Sequence, residues 1–191
     1  MLTVRSMSNK YSFLILIGVA CATLVSCSEH SRVKRIMSDF VKSEIRIPND
    51  LECIYNGEVI EWEIDTLKHY KFIVYYDSLD CSSCRINNLS DLLPIYGMAD
   101  TSNFTPMTIF SPRRDNIEDV RMQLFMANYD FPIYLDVSGN FSTMNKCIPD
   151  DSRFHYFLIS DEGIPLVVGN PLTHEIISTL MTKIIYENST P

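Results

Sequence analysis

The chain has 191 residues, of which 46% are hydrophobic and 21% are charged, with 6 glycines and 9 prolines. This length suits one domain with a processed end, and the composition excludes collagen-like, low-complexity and wholly disordered chains. The net charge of −8 argues against a nucleic-acid-binding protein, which needs a basic face to neutralise phosphates. No phosphate-binding glycine loop, zinc-protease motif or serine-hydrolase motif is present. The sequence therefore predicts none of those enzyme classes.

Residues 1–26 are predicted to be an export signal. Two basic residues precede the apolar run FLILIGVACATLV at 13–25, which is short for a membrane span because spanning takes about 20 residues. The run ends in Leu24-Val25-Ser26-Cys27, which resembles a bacterial lipoprotein box. The resemblance implies cleavage before Cys27, acylation of its sulfur, and anchoring in the bacterial cell envelope, at the outer membrane or facing the periplasm. An uncleaved anchor and an ordinary signal peptide are the alternatives. Loss of residues 1–26 removes two positive and no negative charges, which changes −8 to −10.

Residues 27–46 are predicted to be the lipidated N-terminus followed by an amphipathic helix. Val33, Ile36, Met37, Phe40 and Val41 recur at helical spacing, opposite a charged face. Pro48 and the residues after it should break this helix. No linker is visible further along, so residues 47–191 are expected to form one domain.

Strands and helices alternate in the rest of the chain. Strands are predicted over 59–64 and 71–76, and the second is apolar enough for a central position buried on both faces. A helix over 81–96, a strand over 104–110, a helix from Asp115 and a short strand over 131–135 follow. Residues 154–160 and 166–168 predict a hairpin around a turn at 161–163, and Thr173 precedes a last helix. This order predicts an α/β layered sheet with a terminal antiparallel hairpin.

Two cysteines lie at the start of the helix that is predicted to follow the central strand, in Cys81-Ser82-Ser83-Cys84-Arg85. A thiolate is the attacking species in disulfide exchange, and a helix N-terminus supplies about half a positive charge that stabilises it. Cys81, at the first exposed position, is predicted to attack a partner's disulfide. Cys84, expected one turn deeper, would then resolve the mixed disulfide. A structural disulfide that does not exchange is the alternative.

The chain resembles thioredoxin-like proteins over residues 71–186. The resemblance lies in the order strand, loop, Cys81-x-x-Cys84-Arg85 and helix, followed by FLISDEG at 157–163. The chain is most similar to lipid-anchored thiol-disulfide exchange proteins of bacterial envelopes. Asp77-Ser78 before the CxxC and VGNP at 168–171 resemble a variant lipoprotein group. The resemblance implies a thioredoxin-like three-layer sandwich with a central mixed sheet. It also implies catalytic roles for Cys81, Cys84 and Arg85, a protein partner bearing a disulfide or dithiol, and no cofactor.

The motif departs from the thioredoxin pattern in three ways. Asp80 replaces the aromatic residue that often precedes the first cysteine, and no proline lies between the cysteines. The position of the cis-proline that faces the CxxC holds Phe154, while Pro149 lies five residues earlier. Asp80 should oppose a thiolate at Cys81 and Arg85 should partly offset it, which favours a reductant or isomerase-like role over a strong oxidant. The alternative function is a non-catalytic binding or structural lipoprotein whose CxxC disulfide is structural.

Cys53 and Cys147 remain outside the motif. They could be free thiols, a second disulfide or an auxiliary redox pair. The CxxC with His69 or His155 could supply a Cys2His metal site. Copper chaperones that resemble this fold have a CxxxC spacing instead, so no metal site is predicted. His155 is interpreted as a polar strand residue. The residues indicate no oligomeric state.

Overall fold

The computed structural model of the chain describes residues 31–63, 65 and 68–187. The predicted signal peptide and Cys27 lie outside these residues, as does Ile64 at the end of a predicted strand. Helix α1 covers residues 31–40, and the described residues from Phe40 onward form one compact unit. Within the described ranges, no helix is both long enough and apolar enough to cross a membrane.

A seven-stranded mixed sheet lies at the centre of this unit, in the order β2-β1-β5-β4-β3-β6-β7. Its strands are β1 Glu52–Tyr55, β2 Glu58–Ile60, β3 Tyr70–Tyr76, β4 Phe104–Phe110, β5 Ile133–Leu135, β6 Tyr156–Ile159 and β7 Pro165–Val168. Strands β3, β4 and β5 are parallel to one another, and every other neighbouring pair is antiparallel. The further helices are α2 Ser82–Ile86, α3 Leu93–Ala99, α4 Ile117–Ala127, α5 Asn140–Met144 and α6 Glu175–Glu187.

The two faces of β3 pack against different layers. Phe72 and Val74 belong to the main core, together with side chains of α2, α3, α4 and α6. Tyr75 points to the opposite face, where its ring lies 5.2 Å from that of Phe141 in α5. The predicted α/β fold, with a central mixed sheet, a C-terminal hairpin and a final helix, is confirmed. Its strand order around β3 is that of a thioredoxin-like fold.

The first hairpin differs from the prediction. Of the predicted strand at 59–64, residues 59 and 60 are paired in β2 and residues 61–63 are not, and β1 was not predicted. Asn56 and Gly57 connect β1 to β2 with φ values of 49° and 71°, the left-handed pair that a two-residue hairpin turn requires. Trp62 lies beyond β2, where its indole N–H donates to the Leu51 carbonyl at 2.6 Å.

Both edges of the sheet are short or interrupted. Strand β2 has three residues, all exposed; Glu58 lies within it, and Glu61 and Glu63 follow it in the chain. Strand β7 begins with Pro165, and its pairing with β6 shifts register between Leu158 and Ile159. Few backbone groups on these edges are therefore aligned for further pairing.

Two contacts fix the segment between α1 and β1. The amide of Ile45 donates to the Gly163 carbonyl at 2.8 Å, in the turn between β6 and β7. Asn145, buried after α5, accepts from the Arg46 amide and donates to the Arg46 carbonyl, both at 2.8 Å. Its amide also donates to the Phe141 carbonyl at 2.9 Å. The side chain of Asn145 thus pairs with Arg46 as a neighbouring strand would.

The predicted helix over 81–96 is wrong as a single element. It is divided into α2, a 3-10 turn at Leu89–Leu92, and α3. The side-chain amide of Asn88 donates to the Cys84 carbonyl at 2.8 Å and takes the place of a helical partner. Pro94 lies in the first turn of α3, where its missing N–H is tolerated but where it cannot continue a preceding helix.

Candidate functional site

The cysteine pair lies at the carboxyl end of β3, the central strand. Cys81 is the N-cap of α2, and its carbonyl accepts from the Arg85 amide at 3.0 Å. Cys81 and Cys84 form a disulfide, and both residues are exposed. Cys84, which was expected one turn deeper, is thus an exposed residue like Cys81. Because α2 has only five residues, its dipole is a weaker source of thiolate stabilisation than a long helix would be.

A tight loop between β3 and α2 orients the residue before Cys81. The Asp77 carboxylate accepts from the amides of Leu79 at 2.8 Å and Asp80 at 3.2 Å. The charge of Asp77 is thereby directed to the loop backbone. Leu79, two residues before Cys81, is left 78% exposed.

Asp80 is held by Arg85. The side chain of Asp80 is only 9% exposed, and its Oδ1 accepts from Arg85 Nη2 at 2.7 Å and from Nε at 3.0 Å. The guanidinium also lies 5.4 Å from the centre of the Tyr76 ring, within range of a cation–π contact. Arg85 contacts the carboxylate next to Cys81, so its electrostatic effect on that sulfur includes the neutralisation of Asp80.

The other oxygen of Asp80 faces His155, a contact that was not predicted from the sequence. His155 lies just before β6, and its Nδ1 is 3.9 Å from Asp80 Oδ2. Its carbonyl accepts from the Tyr75 amide at 2.9 Å, which fixes it against the end of β3. Sequence reasoning located the segment that faces the CxxC at Phe154 but interpreted the next residue as an ordinary polar strand residue. The sequence signal for this contact was that a histidine follows directly after Phe154, the position expected to face the CxxC.

A pocket of about 870 Å³ opens beside the disulfide. Cys81, Cys84, Asp80 and Arg85 line one side of it. The other walls are Tyr76, Leu79, Asn88, Ser90, Asp91, Leu92, Pro94, Tyr156, Asn170, Leu172 and Thr173. The loop of the VGNP motif therefore contributes to the same pocket as the CxxC. The lining combines apolar side chains with the Asp80–Arg85 ion pair, the carboxylate of Asp91 and several neutral polar side chains.

The two other cysteines are separate from this pocket. Cys53 is buried in β1 and Cys147 is exposed after α5, and neither is in a disulfide. Burial raises the pKa of the Cys53 thiol to about 11, so this thiol is unreactive near neutral pH. Over residues 31–63, 65 and 68–187, no three His, Cys, Asp or Glu side chains come together as a metal site.

No family model and no curated protein matches the chain. Similar solved structures include the thioredoxin domain of a thiol-disulfide oxidoreductase from Bacteroides vulgatus, at 18% identity over 73% of this chain and 99% of that one, with a TM-score of 0.44. StoA from Bacillus subtilis has 15% identity over 69% and 98% of the two chains, with a TM-score of 0.40. AhpC from Enterococcus faecalis has 14% identity over 70% and 86%, with a TM-score of 0.44. At these values the comparisons assign no activity to the chain.

Proposed function

We propose that this protein is a thiol-disulfide oxidoreductase of the bacterial cell envelope, anchored by a lipid on Cys27, that uses Cys81 and Cys84 as its dithiol. The observation that carries the proposal is an exposed disulfide on the rim of a pocket of about 870 Å³. A disulfide that only stabilises the fold has no need of either exposure or a neighbouring groove. The partner is a protein that bears a disulfide or a dithiol.

In the proposed exchange, Cys81 at the N-cap of α2 is the attacking thiol and Cys84 is the resolving thiol. In the reduced protein, the Cys81 thiolate attacks one sulfur of a partner disulfide, and the partner's other sulfur leaves as a thiolate and takes up a proton. The Cys84 thiol then loses its proton and attacks Cys81, which releases the partner as a dithiol and forms the Cys81–Cys84 disulfide. The partner is reduced by two electrons and the CxxC is oxidised by two. A short α2 and the acidic Asp80 favour a reductant or isomerase-like pair over a strong oxidant.

A trapping experiment with the full chain tests the redox activity. The Cys84→Ser variant, incubated with a disulfide-bonded peptide, should accumulate a mixed disulfide at Cys81 because no second thiol can release it. Cys81→Ser should accumulate far less, and Cys147→Ser should behave as the wild type because Cys147 lies outside the pocket. If the disulfide resists dithiothreitol under native conditions, or Cys81 fails to alkylate after reduction, the redox proposal is lost in favour of a structural disulfide.

A separate experiment tests the anchor. The full chain expressed in a bacterial host should sediment with membranes and carry the added mass of acyl chains on its processed N-terminus. Cys27→Ala should remove both properties, since the acylated sulfur is absent. Unchanged fractionation and unchanged mass in that variant would exclude lipidation at Cys27.

A further inference from the structure

One buried polar atom near the CxxC has no hydrogen-bond partner. Among the buried side-chain nitrogens and oxygens of the described residues, His155 Nδ1 is the one without a hydrogen bond, and His155 is only 2% exposed. Its Nε2 lies 2.8 Å from the Pro149 carbonyl oxygen. A carbonyl only accepts, so Nε2 carries the hydrogen of the neutral ring and Nδ1 presents a lone pair. Leaving a buried acceptor without a hydrogen bond costs free energy of folding.

The lone pair of Nδ1 faces a second acceptor. Asp80 Oδ2 lies 3.9 Å away, while Oδ1 of the same carboxylate accepts two hydrogen bonds from Arg85. With a neutral imidazole, the nitrogen and the carboxylate oxygen face each other without a proton between them. A proton on Nδ1 would turn this arrangement into an ion pair and would satisfy both groups.

The other groups that face His155 hold their charge over the range in which imidazoles ordinarily titrate, about pH 5–8. The Tyr75 ring of β3 lies 5.2 Å away, and burial raises the pKa of its phenol to about 12, so it stays neutral. A hydrogen bond from Arg153 lowers the pKa of Asp151, which stays ionised. Arg85, behind Asp80, is a permanent cation. The contact between His155 and Asp80 is therefore where a proton can be gained or lost.

We propose that His155 is a positioning residue of the Cys81–Cys84 pair that acts through Asp80, whose negative charge beside Cys81 it neutralises when protonated. The biological use of this coupling rests on the proposed function, whereas the coupling itself is a property of the site. An ionised Asp80 repels a thiolate on the next residue, so a protonated His155 stabilises the Cys81 thiolate at acidic pH. By linkage, a thiolate at Cys81 favours the proton on His155.

The pH profile of alkylation tests this coupling. The rate constant for iodoacetamide with Cys81 is measured by mass spectrometry on the reduced full chain. His155→Gln keeps an N–H donor for the Pro149 carbonyl but cannot titrate. It should react about 3- to 10-fold more slowly than the wild type below pH 6.5 and equally fast above pH 8, as expected for loss of one nearby charge at intermediate dielectric.

Two further variants locate the effect. His69→Gln removes a histidine at the opposite end of β3, paired with Asp161 at 3.1 Å, and should keep the wild-type profile. In an Asp80→Asn background, His155→Gln should change the acidic rate by less than about 2-fold because the carboxylate through which it acts is gone. A profile for His155→Gln that superposes on the wild type, or an unchanged effect without Asp80, would overturn the inference.

Because His155 is buried, a measurement that leaves it in place guards against a variant that fails to fold. Imidazole NMR resonances are followed against pH in the wild type and in Asp80→Asn. The midpoint for His155 should move to lower pH in Asp80→Asn, because the carboxylate that faces its Nδ1 is gone. An identical His155 midpoint in both proteins contradicts the coupling even if the CxxC exchanges normally. A disulfide that cannot be reduced refutes the proposed function as well as the inference.

Discussion

The pairing of Asn145 with the backbone of Arg46 makes a quantitative prediction. Asn145→Ala removes three hydrogen bonds, two to Arg46 and one to the Phe141 carbonyl, at 2.8, 2.8 and 2.9 Å. At about 0.5–1.5 kcal/mol for each bond, and with backbone groups left unpaired at a partly buried site, the free energy of unfolding should fall by about 2–4 kcal/mol. For a urea m-value of about 2 kcal/mol/M, the unfolding midpoint should fall by about 1–2 M.

The assay is urea unfolding of the oxidised protein followed by circular dichroism. Asn140→Ala, at the first residue of α5, is the matched control. The Asn140 side chain is exposed and makes a hydrogen bond to Asp50, so its loss should cost less than about 0.5 kcal/mol. Amide exchange at Arg46 should also accelerate in Asn145→Ala, because the acceptor of that N–H is removed. A loss of less than 1 kcal/mol with unchanged exchange would refute the reasoning that Asn145 holds this segment in place.

Three further outcomes are expected. Gly163→Ala should lower the urea midpoint strongly, since φ is +78° and a Cβ would clash with the Ile45 carbonyl. Gly97 in α3 has open space around it, so Gly97→Ala should raise the free energy of unfolding by about 0.5–1 kcal/mol. Equal effects of the two substitutions would contradict this. In the native protein at pH 8, Cys53 should alkylate at least about 100-fold more slowly than exposed Cys147, as mass spectrometry of labelled peptides would show. Burial raises the pKa of several tyrosine phenols, so these side chains keep their protons in the folded protein at a pH where they lose them in the unfolded chain. The free energy of unfolding should therefore be unaffected by them below about pH 10 and should fall above it. Absorbance at 295 nm should show late ionisation of the group Tyr75, Tyr76, Tyr96 and Tyr134, and a single transition of all tyrosines near pH 10 in the folded protein would disprove it.

The parts of the fold that follow from local pattern were predictable. The apolar run of β3 and the hairpin around Gly163 carry their periodicity in the sequence itself. The first hairpin was missed because β1 is short and only its Asn56-Gly57 turn is a strong signal. The break between α2 and α3 depends on a side-chain hydrogen bond from Asn88, which competes with helical bonding in a way that apolar spacing does not reveal.

The candidate site divides in the same way. Cys81, Cys84 and Arg85 are adjacent in sequence, so their clustering could be read directly. The contact between Asp80 and His155 joins residues 75 positions apart across the sheet, and it exists only because β6 pairs antiparallel with β3. The exposure of Cys84 likewise depends on how far α2 extends before it ends, which the spacing of the two cysteines does not determine.

The edges of the sheet bear on how the protein behaves at high concentration. An open strand edge can recruit a strand from a neighbouring molecule and begin a growing aggregate. Here β2 offers three residues flanked by repelling carboxylates, and β7 opens with a proline that has no N–H to donate. Lengthening β2 or replacing Pro165 would create a continuous row of donors and acceptors. The chain can therefore carry a seven-stranded sheet at high concentration while offering neighbouring molecules little backbone with which to pair.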